Sequence, residues 1–335
     1  MPQPWHDHPL ARDLDLALGA VREAAALCRH VQASLDHGQL EKRDRSPVTV
    51  ADLGAQALVC RGLLGQRPDD AVIAEEDAET LRRDDHAPVR DRVVAEVARL
   101  VPEADADRVC RWIDHGAGAR PAPRTWTLDP IDGTKGFLRG EQYAVALALL
   151  VDGEVALGVL GCPNLGSTLG DAPAGGTYYA ALAGRGSWRV DADGQAAEAL
   201  SVSPETDPAN LRFCESAEPG HSDFGAAQQV RERLGIEAAP QRLDSQAKYA
   251  VVARGEAEGY LRLPRGREYR EKIWDHAAGS LVVTAAGGRV TDIAGQPLDF
   301  GQGATLHAGR GVVVTNGWLH DRVIAALGEL GIVPE

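Results

Sequence analysis

The chain has 335 residues, 44% of them hydrophobic, which suffices for about two domains with buried cores. Its 35 Lys and Arg against 49 Asp and Glu leave a formal charge of −14, which excludes general binding to nucleic acid or an anionic membrane, since both select basic surfaces. No apolar run approaches the roughly 18–20 residues that span a bilayer, and residues 1–10 carry neither the basic nor the apolar region of a secretory signal. Five scattered cysteines (28, 60, 110, 162 and 214), with no Cys-x-x-Cys pair, fit reduced thiols and a cytoplasmic setting. Four of the basic residues are Lys (42, 135, 248 and 272); the other 31 are Arg.

In chain order, residues 10–35 place Leu10, Leu14, Leu18, Val21, Ala25, Cys28, Val31 and Leu35 on one stripe of an amphipathic helix. Thr49 is expected to cap a helix over 50–64, with Asp52 in its first turn. The run 71–74 predicts a buried strand that delivers Glu75 and Glu76 to its end. Residues 78–123 read as mostly helical and exposed, closing in a Gly/Pro/Ala-rich stretch. A short strand at 126–128 is expected to stop at Asp129-Pro130. Residues 143–151 and 155–160 flank Asp152-Gly153, a hairpin with a type I′ turn, and a second hairpin surrounds Gly184. The polar stretch 191–210 marks the expected boundary between an N-terminal domain (1–200) and a C-terminal one (201–335). Beyond it strands at 211–214, 260–263 and 312–315 alternate with helices at 224–234, 275–286 and 318–330, which suggests a layered α/β half.

The acidic residues sit at strand ends and turns. In Asp129-Pro130-Ile131-Asp132-Gly133-Thr134, Pro130 restricts φ and Gly133 permits a tight backbone, so two carboxylates converge with the Ile131 carbonyl between them. Hard oxygen donors on a rigid turn suit Mg²⁺. Each element also has an ordinary reading: turn residues at 129–133, a solvated Glu75-Glu76, helix caps or first-turn acids at Asp275 and Asp52. Their order and setting together distinguish this chain.

Asp52, Glu75-Glu76, DPIDGT at 129–134 and WDHAAG at 274–279 resemble the inositol monophosphatase superfamily of metal-dependent, lithium-sensitive phosphatases. DPIDGTKGF (129–137), LDSQAKY (243–249), YLRLP (260–264), YREKIWDHAAG (269–279), LDFG (298–301) and WIDHG (112–116) resemble its 3′(2′),5′-bisphosphate nucleotidase branch, and the likeness runs from about residue 10 to the C-terminus. The resemblance implies an α+β fold, a layered α-β-α-β-α sandwich. A mostly antiparallel N-terminal sheet would carry the metal site, and a smaller C-terminal α/β domain would close over the nucleotide and supply Asp275. It implies hydrolysis of the 3′-phosphate of adenosine 3′,5′-bisphosphate (PAP) to AMP and phosphate, with the sulfated precursor PAPS as a second candidate substrate. Two or three Mg²⁺ per site would be held by Glu75, Asp129, Asp132, Asp275 and the Ile131 carbonyl, with Glu76 one layer out. Four carboxylates around one point repel and raise one another's pKa unless cations are present, which supports that assignment.

By the same resemblance Asp52, hydrogen-bonded near Thr134, activates the attacking water. Gly133, Thr134, His221, Asp244, Ser245, Lys248, Arg262 and Asp275 contact the substrate, with Lys248 and Arg262 suited to the 5′-phosphate. The expected partner is a small nucleotide, not nucleic acid or a membrane. Two competing readings are a phosphatase of inositol or sugar phosphates, which has no need of a second anion site, and a non-catalytic nucleotide sensor, which has no need of Asp52 and Thr134. His6-Asp7-His8, Gly184-x-Gly186 and GHSD at 220–223 match no metal, dinucleotide or nucleophile-elbow pattern well enough to compete.

Overall fold

A computed structural model of the chain describes residues 3–35, 46–117, 122–192, 194, 196–218, 220, 222–264 and 269–332. The N-terminal elements are α1 (Ala11–Ala33), α2 (Ser46–Gln66), β1 (Ala71–Ala74), α3 (Ala87–Ala98), α4 (Ala106–Asp114), β2 (Arg124–Asp132), α5 (Thr134–Arg139), β3 (Ala144–Val151), β4 (Glu154–Cys162), β5 (Thr177–Leu182), β6 (Gly186–Val190) and β7 (Ala196–Ala199). There follow β8 (Phe213–Ser216), α6 (Phe224–Leu234), β9 (Gln241–Leu243), α7 (Ala247–Ala253), β10 (Gly259–Arg262), α8 (Ala277–Ala285), β11 (Arg289–Thr291), β12 (Val312–Thr315) and α9 (His320–Glu329).

Strands β1 to β7 lie side by side in chain order, antiparallel except for the parallel β1–β2 pair. The second sheet runs β11-β12-β10-β8-β9, with parallel β8–β9 and β8–β10 pairs. Because side chains alternate along a strand, β3 sends Val145, Leu147 and Leu149 into a core with α1 and α2. It sends Ala144, Ala146, Ala148 and Leu150 into a second core with α7 and α8. The second sheet closes that core with Cys214, Tyr260, Val312 and Val314, and packs Phe213, Leu261 and Val313 on α6 and α9. The result is the expected α-β-α-β-α sandwich. The α1 stripe is buried as its periodicity requires, through Leu14, Leu18, Val21, Ala25, Cys28 and Val31, each Leu or Val contributing about 1.5–3 kcal/mol.

Several expectations need correction. Helix α2 begins at Ser46, so Thr49 lies inside it and Asp52 in its second turn. The 78–123 region is helical and largely exposed as expected, but α3 and α4 turn Val93, Val97, Val109, Cys110 and Ile113 inward, and Asp105 caps α4 by accepting from Arg108 N at 2.8 Å. Strand β2 does not stop at Pro130. It shifts register between Asp129 and Asp132, and such an irregularity tolerates a residue without an N–H. The first part of the polar 191–210 stretch is the edge strand β7 on β6. Helix α8 starts at Ala277, with His276 rather than Asp275 at its N-cap. The turn at Asp152-Gly153 has φ 51 and 86, both positive as type I′ demands. The five cysteines are buried and free. Among the described residues, no helix is long and apolar enough to cross a membrane.

Candidate active site

The parallel register that sets Ala74 opposite Leu128 brings the next residue of each strand, Glu75 and Asp129, to one edge of the first sheet. There they line a cavity of about 480 Å³ with Ile131, Asp132, Gly133, Thr134, Lys135 and Asp275. The opposite wall is Gly220, Arg262, Leu263, Pro264, Tyr269 and Glu271. Ile131 is 1% exposed, with its side chain in the first core, so its main chain is what faces the cavity. Gly133 (φ 88) turns the chain into α5, and a Cβ there would meet Ser245 Cβ at 3.0 Å and Gln142 O at 3.3 Å. Gln246, which the sequence reading passed over, ties the two halves of the site together. Its N–H donates to Asp132 Oδ2 at 2.5 Å, its side-chain amide donates to Trp274 O at 2.9 Å, and its Oε1 accepts from Gly279 N at 2.9 Å.

The acids share one field. Protein crowding and then Asp275 and Glu76 push Glu75 up to about 7. Glu75 itself opens to solvent through the cavity mouth, so the neighbouring carboxylates are the weightier cause. Asp132 rises to about 6 through burial and then Asp275, against the pull of Lys248 and Arg262. Asp129 is raised well above the carboxylate range by burial, then Glu75 and Asp132. Its Oδ1 is buried with no hydrogen-bond partner, and the Glu75 carboxyl lies close enough to raise the Asp129 pKa. Crowded acids beside an unpaired buried oxygen form a donor set that a hard divalent cation fits. Glu271, Asp275 and His276 also present ligand atoms within 4.8 Å. Glu271 Oε2, however, is already held by Arg262 Nε at 2.7 Å and His276 Nε2 at 3.1 Å.

The remaining expected residues are placed unevenly. Asp52 is buried behind this cluster, its carboxyl raised by burial and then by Glu76 and Glu75. Thr134 is exposed in the cavity wall, and no hydrogen bond joins it to Asp52 among the described residues. Arg262 lies in the cavity, its Nη2 3.4 Å from Asp275 Oδ2 and 3.2 Å from the Tyr269 hydroxyl. Lys248 does not reach the main cavity. Its Nζ is buried and donates to Leu243 O at 3.2 Å and Ser245 O at 2.7 Å, and burial lowers its pKa to about 8 against Asp132 and Asp244. With Ser245, held at φ 65, it lines a small space of about 20 Å³ behind Asp132 and Asp275. Asp244 is buried against Arg139, with Oδ1 unpaired. His221 lies outside the described residues.

The profile of the inositol monophosphatase family matches residues 10–331. The chain is 44% identical to a 3′(2′),5′-bisphosphate nucleotidase of Emericella nidulans, over 94% of this chain and 97% of that one. To a protein of the same name from Oryza sativa it is 42% identical, over 96% and 94% of the respective chains. Among solved structures, an inositol monophosphatase from Anabaena superposes with a TM-score of 0.62 at 20% identity, covering 97% of each chain, a likeness of fold.

Proposed function

Because the chain belongs to the inositol monophosphatase family, in its 3′(2′),5′-bisphosphate nucleotidase branch, we propose that this enzyme hydrolyses the 3′-phosphate of adenosine 3′,5′-bisphosphate, releasing AMP and phosphate. The sulfated precursor is a further substrate on this reading. The observation that carries it is the pairing, in one cavity, of an acid cluster suited to a divalent cation with the guanidinium of Arg262 3.4 Å from Asp275. A phosphate bound at the acids through a cation leaves Arg262 for a second one, as a bisphosphate requires.

Glu75, Asp129, Asp132, Asp275 and the Ile131 main chain are the residues that would hold Mg²⁺. When bound, the cation polarises the phosphoryl oxygens, lowers the pKa of water and stabilises the departing ribose oxygen. Gln246 keeps the Asp132 carboxylate aimed by its N–H. Thr134 offers a hydroxyl in the cavity wall that both donates and accepts, which suits it to orient the attacking water. Asp52, whose carboxyl is raised above its ordinary value by burial and then by Glu76 and Glu75, takes that water's proton. The water oxygen bonds to phosphorus, the bond from phosphorus to ribose O3′ breaks, and O3′ gains a proton. Lys248, Asp244 and Ser245 support the site from behind Asp132 and Gly133, and Lys248 brings positive charge toward Asp132.

The same reading makes residues 1–200 and 201–335 two domains, supported by the division of the two sheets between those segments. It places the enzyme in the cytoplasm, in keeping with five free thiols, and makes it sensitive to Li⁺, a hard cation that competes for oxygen donors. The test compares phosphate release from adenosine 3′,5′-bisphosphate, inositol 1-phosphate and fructose 1,6-bisphosphate with Mg²⁺, with and without Li⁺. The nucleotide should be turned over with the highest kcat/KM and inhibited by Li⁺. Preference for either other substrate overturns the substrate assignment, and turnover of none favours a sensor.

A further inference from the structure

Arg262 is oriented by more than its own strand. Its Nε lies 2.7 Å from Glu271 Oε2, an ion pair in which the N–H is not aimed straight at the oxygen, and both side chains are largely buried, at 16% and 7% exposure. The same carboxylate oxygen meets His276 Nε2 at 3.1 Å, and His276 Nδ1 meets the Tyr249 hydroxyl at 2.7 Å. A neutral imidazole satisfies both contacts in one way: Nε2–H donates to Glu271 and Nδ1 accepts from Tyr249. Tyr249 on α7, His276 at the start of α8 and Glu271 thus form one buried chain that ends on the guanidinium. Arg262 Nη2 is turned to Asp275 and Tyr269.

We propose that Glu271 is the positioning residue of Arg262. It holds the guanidinium by one edge, so that the rest of the fork is shared between Asp275 and the second phosphate of the substrate and is not drawn onto Asp275 alone. A guanidinium is a rigid fork, so its orientation sets how well it binds a phosphate. Paired only with Asp275, it would compete with a cation for that carboxylate. Glu271 carries no phosphate contact of its own, since a carboxylate repels one. Its effect on selectivity therefore runs through Arg262. The inference rests on the bisphosphate reading above.

The experiment measures kcat and KM for adenosine 3′,5′-bisphosphate and for adenosine 3′-monophosphate, in the wild type, Glu271→Gln and Glu271→Asp. Glu271→Asp keeps the charge while drawing the carboxylate back from Arg262, and it stands in if the Gln variant does not fold. Both variants should reduce the preference for the bisphosphate about tenfold, as expected for one charge-assisted contact. The change should fall on the bisphosphate KM more than on kcat. On an Arg262→Ala background, Glu271→Gln should remove no further preference. A folded variant that keeps the wild-type preference overturns the proposal, as does an equal loss on the Arg262→Ala background. A wild type that does not prefer the bisphosphate overturns the underlying reading instead, before any variant is compared.

Discussion

At Gly133 the chain leaves β2 with φ 88, and a Cβ would sit 3.0 Å from Ser245 Cβ. Gly133→Ala should therefore cost about 1–2 kcal/mol from the left-handed backbone alone, read as a lower urea midpoint, and should lower kcat by displacing Asp132 and Thr134 on either side. A variant with wild-type stability would show that the turn relaxes freely. Asp132→Asn keeps the shape of the side chain but removes its ligating charge. Activity should fall by at least about a hundredfold, the upper end of what losing an outer-shell partner costs a metal site, with little change in the unfolding midpoint. Near-normal turnover would remove Asp132 from the ligand set. These two residues were legible in the sequence because a Pro, a Gly and two acids in six positions constrain the backbone as well as the chemistry. Gln246 and Glu271 were not. Their contacts to Asp132 and Arg262 reach 114 and nine positions along the chain, and neither amide nor acid announces such a partner in sequence. Lys248 was legible as a charge near the site; its burial against two carbonyls was not.

Helix α8 reaches the site only because it packs flat on the first sheet. A Cβ at Gly158 on β4 would meet Ala278 O at 2.9 Å and Ala278 Cα at 3.2 Å. Gly158→Val should push α8 outward, destabilise the fold by about 1–3 kcal/mol as overpacking does, and reduce turnover, since Asp275 and His276 stand directly before the helix. Denaturant unfolding and steady-state kinetics on one preparation check both effects; stability loss with full activity would mean that the helix start is held independently of β4. The long elements were readable from periodicity: α1, both hairpins and the last three strand-helix alternations. The elements missed are α5, β7, β9, α7 and β11, each seven residues or fewer, too short to display a period. Two of the misplaced boundaries have a common origin in local signals overruled by packing. Pro130 was expected to end a strand that instead bulges around it, and Thr49 to cap a helix that begins at Ser46.

For the whole molecule, a net charge of −14 describes the surface, whereas the cavity is governed by how its acids are neutralised. Glu75 near 7 and Asp132 near 6 lie above their ordinary values, so the folded, cation-free protein binds protons that the unfolded chain has lost. Their contribution to stability is present below about pH 4 and is lost as pH rises through 6 to 7. His320, lowered to about 4 chiefly by burial and then by Arg289, acts in the opposite direction, so the site is isolated by the difference with and without Mg²⁺. Added Mg²⁺ should raise the thermal midpoint of chelator-stripped protein more at pH 8 than at pH 5.5, because the cation replaces protons that are absent only at the higher pH. An equal rise at both values would place the bound cation away from these acids.

The central claim, cleavage of the 3′-phosphate ester, is tested most directly by identifying the products of adenosine 3′,5′-bisphosphate hydrolysis with ³¹P NMR. Signals of inorganic phosphate and adenosine 5′-monophosphate, absent when the divalent cation is chelated, are the predicted result. Adenosine 3′-monophosphate as the nucleotide product, or equal turnover with the cation removed, would contradict it.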